Sequence, residues 1–390
     1  MPMKDDIDRL LDQAVKAGDV PGVAAMVATS EETLYSGGFG ERRLGDGVAM
    51  TPDTVVAIAS MTKALTSTAA LQLVEQGRLE LDAPALRILP ELAAVQVLTG
   101  FDAEGRPQTR APKRPITLRH LLTHSAGFGY EMWNPDIRRY KSVMNIPAVH
   151  TRTNASLRTP LIADPGERWE YGTNTDWAGK LVEAVSGKDL EQYFRDHLFE
   201  PLGMHSSAYQ PTPAMRERMA VLHRRGPDGQ LTAITPAPSP HPDAVPLGGG
   251  GLYSTAADYL KFMRMILNHG ALGGERVLRP ETVALMGLNH MGDCRVHELK
   301  TLDPTLSNDA EFFPGVPKAW SLAFQINLRE APTGRAAGSM SWAGLSNCYY
   351  WIDPVNDVTG VYMTQIFPFA DAKSLPLFND FEQAVYKGLK

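Results

Sequence analysis

Ser60 and Lys63 are separated by two residues, a spacing that can bring a serine hydroxyl and a lysine amine together. Positions i and i+3 lie on one helical face, so both side chains point into the same space if Ser60 begins a helix. A buried lysine can accept the serine proton because a dry site disfavours the charged amine. The pair predicts nucleophilic catalysis by Ser60 with Lys63 as its base. The alternative is a helix N-cap followed by a solvated lysine.

The spacing of apolar residues around this pair predicts the neighbouring helices and strands. Apolar residues at helical spacing predict a helix over 61–76, and a similar pattern predicts one over 5–17. Runs 22–28 and 33–35 are typical of strands and are joined by polar residues, which favours a hairpin before the glycine-rich 37–40. These elements place Ser60 just after a pair of strands.

Residues 83–209 alternate apolar helical stretches with proline-rich loops, and no paired strands are evident there. Thr117 is predicted to cap a helix over 117–122, and a further helix is predicted over 176–186. After a polar loop over 224–246 and a helix over 255–269, the last third is rich in predicted strands. The remaining elements are strands at 338–344, 348–352 and 358–365, and a helix at 378–389.

This order predicts an α/β (α+β) fold in which an antiparallel sheet is flanked by helices and carries an inserted all-helical domain. Short turns between the late strands favour antiparallel pairing. We expect residues 1–82 and 210–390 to form the α/β domain and residues 83–209 the helical domain. The cleft between the two is the expected active site.

Composition excludes several classes of function. The net charge of −6 and the absence of basic blocks give no electrostatic support for binding nucleic acid or an anionic membrane. No run reaches the ~18 apolar residues of a membrane span, and the N-terminus lacks the apolar core of an export signal. The two cysteines, Cys294 and Cys348, form no motif and are expected to be free thiols. We therefore expect a cytoplasmic protein.

Two further motifs follow Ser60 along the chain, and the three together resemble a known superfamily. Tyr171-Gly-Thr-Asn lies after a turn, and Trp342-Ala-Gly lies on a late strand. Serine β-lactamases and penicillin-binding proteins combine a Ser-x-x-Lys helix, a Tyr-x-Asn loop and a Lys-Thr-Gly strand, the β-lactamase/transpeptidase-like fold. The chain most resembles family VIII carboxylesterases, relatives of class C β-lactamases, whose third motif commonly reads Trp-x-Gly. Framework segments that are also similar are 117–127, 201–204 and 249–254.

The resemblance implies roles for individual residues. Ser60 would be the nucleophile, Lys63 its base, and Tyr171 a partner in the proton relay. The backbone N–H groups of Ser60 and Leu345 would form the oxyanion hole. Trp342 and Gly344 would contact the substrate. The alternatives are a packed loop tyrosine and a core tryptophan.

The resulting prediction is a serine carboxylesterase that hydrolyses uncharged, short-chain esters through a Ser60 acyl-enzyme, without a metal or an organic cofactor. Uncharged esters are expected because Trp342 stands where the related enzymes carry a lysine, although weak β-lactam binding is compatible with it. Three alternatives stay open: a β-lactamase or D-amino-acid peptidase, an acyltransferase, and a non-enzymatic penicillin-binding sensor. The sequence gives no oligomeric state.

Other motifs are incomplete. His120 and His124 have the i, i+4 spacing of zinc ligands, but the adjacent glutamate of a zinc protease is missing. The glycines at 248–251 lack the Gly-Lys-Ser/Thr ending of a phosphate-binding loop. The sequence 344–348 begins like a nucleophile elbow but lacks its closing glycine. We expect structural roles for these residues.

Overall fold

Strands from both ends of the chain form one central sheet. The computed structural model describes residues 2–235 and 241–389. The strands there are β1 (Gly22–Ala28), β2 (Thr33–Gly40), β3 (Val56–Ala57), β4 (Val97–Phe101), β5 (Pro107–Arg110), β6 (His223–Arg225), β7 (Leu231–Ala233), β8 (Tyr253–Ser254), β9 (Ala271–Leu272), β10 (Glu275–Arg276), β11 (Lys318–Trp320), β12 (Gln325–Asn327), β13 (Met340–Gly344), β14 (Cys348–Asp353), β15 (Val358–Met363) and β16 (Ile366–Phe367).

The helices in the same residues cover the sheet and build the region between its two halves. They are α1 (Pro2–Lys16), α2 (Thr62–Glu75), α3 (Leu118–Leu122), α4 (Pro135–Val143), α5 (Asn174–Ser186), α6 (Leu190–Phe194), α7 (Glu200–Leu202), α8 (Pro213–Arg216), α9 (Ala256–Leu267), α10 (Pro280–Met286) and α11 (Ser374–Gly388). None of these helices has the length and apolar character needed to cross a lipid bilayer.

The central sheet has seven antiparallel strands in the order β11-β12-β13-β14-β15-β1-β2. Its middle strands are buried on both faces, which explains why they read as continuous apolar runs. On β14, Tyr349 packs on Phe378 of α11, whereas the ring of Tyr350 contacts Tyr259 of α9. Because successive side chains of a strand point to opposite faces, helices cover both sides of the sheet.

The predicted fold class is confirmed, with local differences. The glycine-rich 37–40 lies inside β2, where it pairs with β1. The hairpin β4–β5 lies within 83–209, where no strands are expected, because its alternation is too short to stand out. The predicted loop 224–246 contains β7 and most of β6, and residues 236–240 of it lie outside the described residues. The division into two domains stays a prediction.

Helix α2 differs from a surface amphipathic helix because nearly all of it is buried. Its buried hydroxyls are hydrogen-bonded: Thr68 Oγ1 donates to the Ala64 carbonyl within the helix at 2.9 Å, and Thr66 Oγ1 donates to the Gly248 carbonyl at 2.8 Å. The second bond ties α2 to the glycine-rich loop at 248–251. A helix that is buried all round is fixed in position by its neighbours.

The end of β13 is fastened to the segment that precedes Ser60. Ser346 Oγ donates to the Ala57 carbonyl at 2.7 Å. Gly344 approaches so closely that a Cβ there would stand 2.3 Å from the Ile58 carbonyl oxygen. Only glycine fits this contact without moving the backbone.

We expect Gly344→Ala to push β13 away from Ile58 and to lower the free energy of unfolding by roughly 1–3 kcal/mol. Gly287→Ala is the matched control, because Gly287 has a φ of −93° and its nearest new contact would lie at 3.7 Å. Urea unfolding of both variants measures the difference. Equal stability of the two variants would show that the close approach at Gly344 carries no constraint.

Candidate functional site

Ser60 lies in a short 3₁₀ turn, Ala59–Met61, directly before α2. Ala59 adopts a φ of 45°, a left-handed conformation that is costly for a residue with a side chain. Thr62 Oγ1 donates to the Ala59 carbonyl at 2.7 Å, and Tyr259 Oη donates to the Met61 carbonyl at 2.9 Å. No side-chain cap precedes α2, so Ser60 does not act as an N-cap. The turn instead presents its hydroxyl to Lys63.

Lys63 is buried, and its amine has three polar neighbours. Lys63 Nζ lies 3.0 Å from Ser60 Oγ, 3.1 Å from Tyr130 Oη and 2.7 Å from the Gly249 carbonyl oxygen. The charged amine donates to all three. A neutral amine keeps two N–H groups and gains a lone pair. Because the Gly249 carbonyl can only accept and Tyr130 can also accept, the lone pair is left for the Ser60 hydroxyl.

Burial lowers the pKa of Lys63 to about 7, and the charge of Asp176 partly opposes this shift. Burial also raises the pKa of Asp176, while the Lys63 charge acts in the opposite direction. The two groups therefore share one dry environment in which neither ion is well solvated. A substantial fraction of Lys63 is neutral near pH 7, as a general base must be.

Asp176 holds the glycine-rich loop against Lys63. The Gly249 N–H donates to Asp176 Oδ1 at 2.8 Å, while the carbonyl of the same residue accepts from Lys63. Tyr130 Oη lies 3.5 Å from Asp176 Oδ2. A Cβ at Gly249 would stand 2.5 Å from Asp176 Oδ2 and 2.8 Å from Tyr130 Oη, so any side chain there would displace these two groups from Lys63.

Tyr171 lies among aromatic rings beside this group. Its ring centroid is 4.8 Å from Lys63 Nζ, and its hydroxyl accepts from Trp342 Nε1 at 2.9 Å. Burial raises the pKa of Tyr171, and hydrogen bonds from Ser60 and Trp342 oppose that rise. His124 packs on the Tyr171 ring at 4.9 Å between centroids, and burial lowers the pKa of His124 well below its usual value. This imidazole is therefore neutral at pH 7.

The loops that carry Tyr130 and Tyr171 are locked together by Asn174. Its Nδ2 donates to the carbonyls of Phe128 and Glu170, both at 3.0 Å. The Tyr130 N–H also donates to the Tyr171 carbonyl at 3.3 Å. The asparagine of the Tyr-Gly-Thr-Asn motif thus braces both tyrosines from the first turn of α5.

The Trp342-Ala-Gly motif contributes through the Trp342 side chain and through the residue that follows the motif, Leu345. Trp342 is buried and packs edge-on against Tyr171, and neither Trp342 nor Gly344 lines the cavity at Ser60. Leu345, the next residue along, does line it. Within the described residues the Leu345 N–H has no hydrogen-bond acceptor. A free N–H at this place is what an oxyanion hole requires.

A cavity of about 310 Å³ opens at Ser60. Its apolar walls come from several segments, and its polar groups are few. The lining residues with apolar side chains include Met132, Trp133, Val149, Leu247, Leu252 and Leu345, and the charged or titratable ones are Asp176, His150, Arg152, Tyr130 and Tyr253. Largely apolar clefts with a few convergent polar groups are typical of small-molecule sites.

The structure places Ser60 and Tyr171 on either side of Lys63, whose Nζ is hydrogen-bonded to Ser60 Oγ and lies over the Tyr171 ring, and the catalytic roles of the three residues stay predictions. Tyr130, Asp176 and the Gly249 carbonyl are further members that the motifs do not reveal. Tyr130 lies in an apolar stretch without a recognisable spacing. The sequence places Asp176 only at the start of a predicted helix, although it lies five positions after Tyr171.

The two histidines set aside in the sequence have structural roles, whereas Gly249 and Leu345, from the other incomplete motifs, lie at the site. His120 Nδ1 accepts from the Thr117 N–H at 3.3 Å and helps to cap α3, and His124 packs against Tyr171. Among residues 2–235 and 241–389, no group of three or more His, Cys, Asp or Glu side chains is arranged to hold a metal ion.

Comparison with known proteins agrees with this arrangement. The Beta-lactamase family model matches residues 7–382. The ML-236A carboxylate methylbutanoyltransferase of Penicillium citrinum is 31% identical over 402 residues, covering 100% of this chain and 95% of that protein. The lovastatin esterase of Penicillium rubens is 31% identical over 400 residues, and the alignment covers 98% of this chain and 98% of that protein. The solved structure of unliganded simvastatin synthase from Aspergillus terreus has a TM-score of 0.84 at 30% identity, covering 98% of this chain and 97% of that one.

We expect a fluorophosphonate to label Ser60, with a rate constant that rises as the pH passes about 7 and then levels off. Below that pH the Lys63 amine is protonated and cannot take the serine proton, because burial places its pKa at about 7. Mass spectrometry locates the adduct, and samples quenched at successive times give the rate constant of labelling at each pH.

His150→Gln is the control, because His150 is the imidazole that lines the cavity. The profile should keep its midpoint in this variant. The contrary result would be a pH midpoint of labelling that is absent in His150→Gln and still present in Lys63→Arg. That result would show that Lys63 is not the base for Ser60.

Proposed function

Because the chain belongs to the β-lactamase family, we propose that it is a serine acyltransferase, which moves an acyl group through a Ser60 acyl-enzyme to an alcohol. The hydrogen bond between Ser60 and a buried, partly neutral Lys63 carries this proposal. It is the feature that makes a serine hydroxyl nucleophilic.

In the first stage Ser60 Oγ attacks the carbonyl carbon of an acyl donor, and its proton passes to Lys63 Nζ. The N–H groups of Ser60 and Leu345 stabilise the oxygen that becomes negative. The bond to the leaving group then breaks. Tyr171 passes the proton from Lys63 to the leaving group, and the acyl group stays on Ser60.

In the second stage an alcohol enters the cleft and gives its proton to the same relay as its oxygen attacks the acyl-enzyme. Ser60 leaves as a hydroxyl when the ester product forms. Tyr130 and the Gly249 carbonyl keep two N–H groups of Lys63 occupied, so its remaining position, a lone pair before proton transfer and an N–H after it, stays directed at the reacting oxygen. The Trp342 Nε1–H donates to the Tyr171 hydroxyl and holds it in position.

Transfer is preferred to hydrolysis for two reasons. The walls of the cavity are mostly apolar, which favours an organic acceptor over water. Among the relatives, the Penicillium citrinum protein is named as a methylbutanoyltransferase and spans the whole chain. The second candidate is the family VIII carboxylesterase reaction predicted from sequence, which a relative named lovastatin esterase favours. The two differ only in whether an alcohol or water takes the acyl group.

We expect the enzyme to form a new ester when p-nitrophenyl butanoate is supplied with an apolar alcohol such as cyclohexylmethanol. Nitrophenol release measures acylation, and mass spectrometry measures the ratio of ester to butanoic acid. The ratio should rise with alcohol concentration to well above one in dilute alcohol, and Ser60→Ala should give neither product. Butanoic acid as the sole product at every alcohol concentration would assign the protein to the esterases.

We expect Lys63→Ala and Tyr171→Phe each to reduce kcat by about a hundredfold or more, because each removes a member of one proton relay. The double variant should lose little beyond the larger single loss. Tyr130→Phe is the informative comparison, since the Tyr130 hydroxyl positions Lys63 but has no part in the proposed proton relay, and the loss of kcat should be smaller. A double variant that loses the full product of the two single losses would mean that Lys63 and Tyr171 act independently.

A further inference from the structure

A second cavity, of about 530 Å³, lies beside helix α5. It shares no lining residue with the Ser60 cavity. The buried residues of its lining, which form its floor, are Leu157, Thr159, Pro160 and Trp177. The half-buried residues that form its walls include Gln96 and Lys180. A cavity of this volume is large enough for a small organic molecule.

Two polar atoms of this floor are buried without a hydrogen-bond partner. Trp177 Nε1 and Thr159 Oγ1 have none in the part of the chain that the structure describes, and their residues are only 8% and 5% exposed. Buried polar groups are nearly always paired, because an unpaired one gives up its hydration without compensation. Other atoms of this kind, such as Tyr193 Oη and Trp351 Nε1, belong to residues that line neither this cavity nor the Ser60 cavity. The two atoms of the floor together indicate a partner that enters the cavity from outside.

The surrounding fold holds both side chains in place. The Trp177 ring stacks on Phe128 with 5.8 Å between the centroids, and the Phe128 carbonyl accepts from Asn174. The Thr159 N–H donates to the Leu157 carbonyl at 2.8 Å, which fixes the backbone at this corner of the floor. An indole fixed in this way cannot turn its N–H towards another acceptor of the protein.

The floor carries no charge, and the charged groups around it are paired or exposed. Lys180 Nζ donates to Glu183 Oε2 at 2.7 Å. Glu91 and Arg158, the other charged residues of the lining, are exposed. A carboxylate on this floor would therefore lose its hydration without gaining an unpaired buried cation, which is costly. An uncharged oxygen acceptor such as a carbonyl avoids that cost.

We propose that this cavity is a second binding site, for a small uncharged molecule in which an amide or another carbonyl group is joined to an apolar body. The carbonyl oxygen accepts from Trp177 Nε1. The Thr159 hydroxyl, which can donate or accept, bonds to the carbonyl oxygen or to the amide N–H. Leu157 and Pro160 offer apolar contacts to the rest of the molecule. The site is separate from the Ser60 centre and does not depend on the proposed function.

The test follows the indole N–H resonances by nuclear magnetic resonance, in protein labelled with ¹⁵N at its tryptophans, while phenylacetamide is added. The Trp177 signal, identified by its loss in Trp177→Phe, should move to saturation because its N–H gains an acceptor. In Thr159→Val the dissociation constant from this signal should rise about fivefold, as expected for one hydrogen bond between neutral groups. Phenylacetate, which has the same ring and a charge, should bind about tenfold more weakly than the amide.

Thr109→Val is the matched control, because Thr109 lines the same cavity but is exposed, so this variant should bind phenylacetamide as the unmodified protein does. Ser60→Ala should also leave the constant unchanged, whether or not the protein transfers acyl groups. Trp133 lines the Ser60 cavity, and its signal, identified by its loss in Trp133→Phe, reports binding there.

Three results would overturn the proposal. The first is a Trp177 signal that does not move up to the solubility limit of phenylacetamide, or that moves only with the constant of the Trp133 signal. The second is an equal constant in Thr159→Val and in the unmodified protein. The third is phenylacetate that binds as tightly as the amide, which would show that the site does not select uncharged molecules.

Discussion

The chemistry of this cleft depends on one constraint: the Lys63 amine must be dry, and its lone pair must face Ser60. Burial provides the first condition by lowering the pKa of Lys63 to about 7. The Gly249 carbonyl and the Tyr130 hydroxyl provide the second, because they occupy the two N–H groups that a neutral amine retains. Without those two acceptors the amine would be free to rotate away from the serine.

The rest of the fold can be understood as the support for this amine. Asp176 on α5 anchors the loop that brings the Gly249 carbonyl to Lys63, and Asn174 on the same helix braces the loops of Tyr130 and Tyr171. The sheet contributes from the other side, where the residues that end β13 are hydrogen-bonded to Ala57 and packed against Ile58, and Leu345 lines the cavity beside Ser60. Residues far apart in sequence therefore meet within one cleft, and each is held by a backbone contact as well as by its own side chain.

The sequence reveals the parts of this arrangement that are encoded locally. The strand run 22–28, the Thr117 cap and the Ser60 to Lys63 spacing each depend on a few neighbouring residues, and the structure has all three. Tyr130 and Asp176 could not be recognised, because their importance comes from meeting Lys63 and Gly249 across long separations in the chain. The sequence does not predict the hairpin β4–β5 for a different reason, since its strands have too few residues for a clear alternation.

The most direct test of this account is the pKa of the Lys63 amine, measured by nuclear magnetic resonance on protein labelled with ¹³C and ¹⁵N at its lysines. The account predicts one lysine that titrates near 7, in line with its burial, and whose signal is lost in Lys63→Arg. Burial also lowers the pKa of Lys141, so Lys141→Arg identifies its signal separately. If the Lys63 signal titrated near the ordinary value of about 10.4 for a solvated lysine, Lys63 would be charged at neutral pH and could not serve as the base for Ser60.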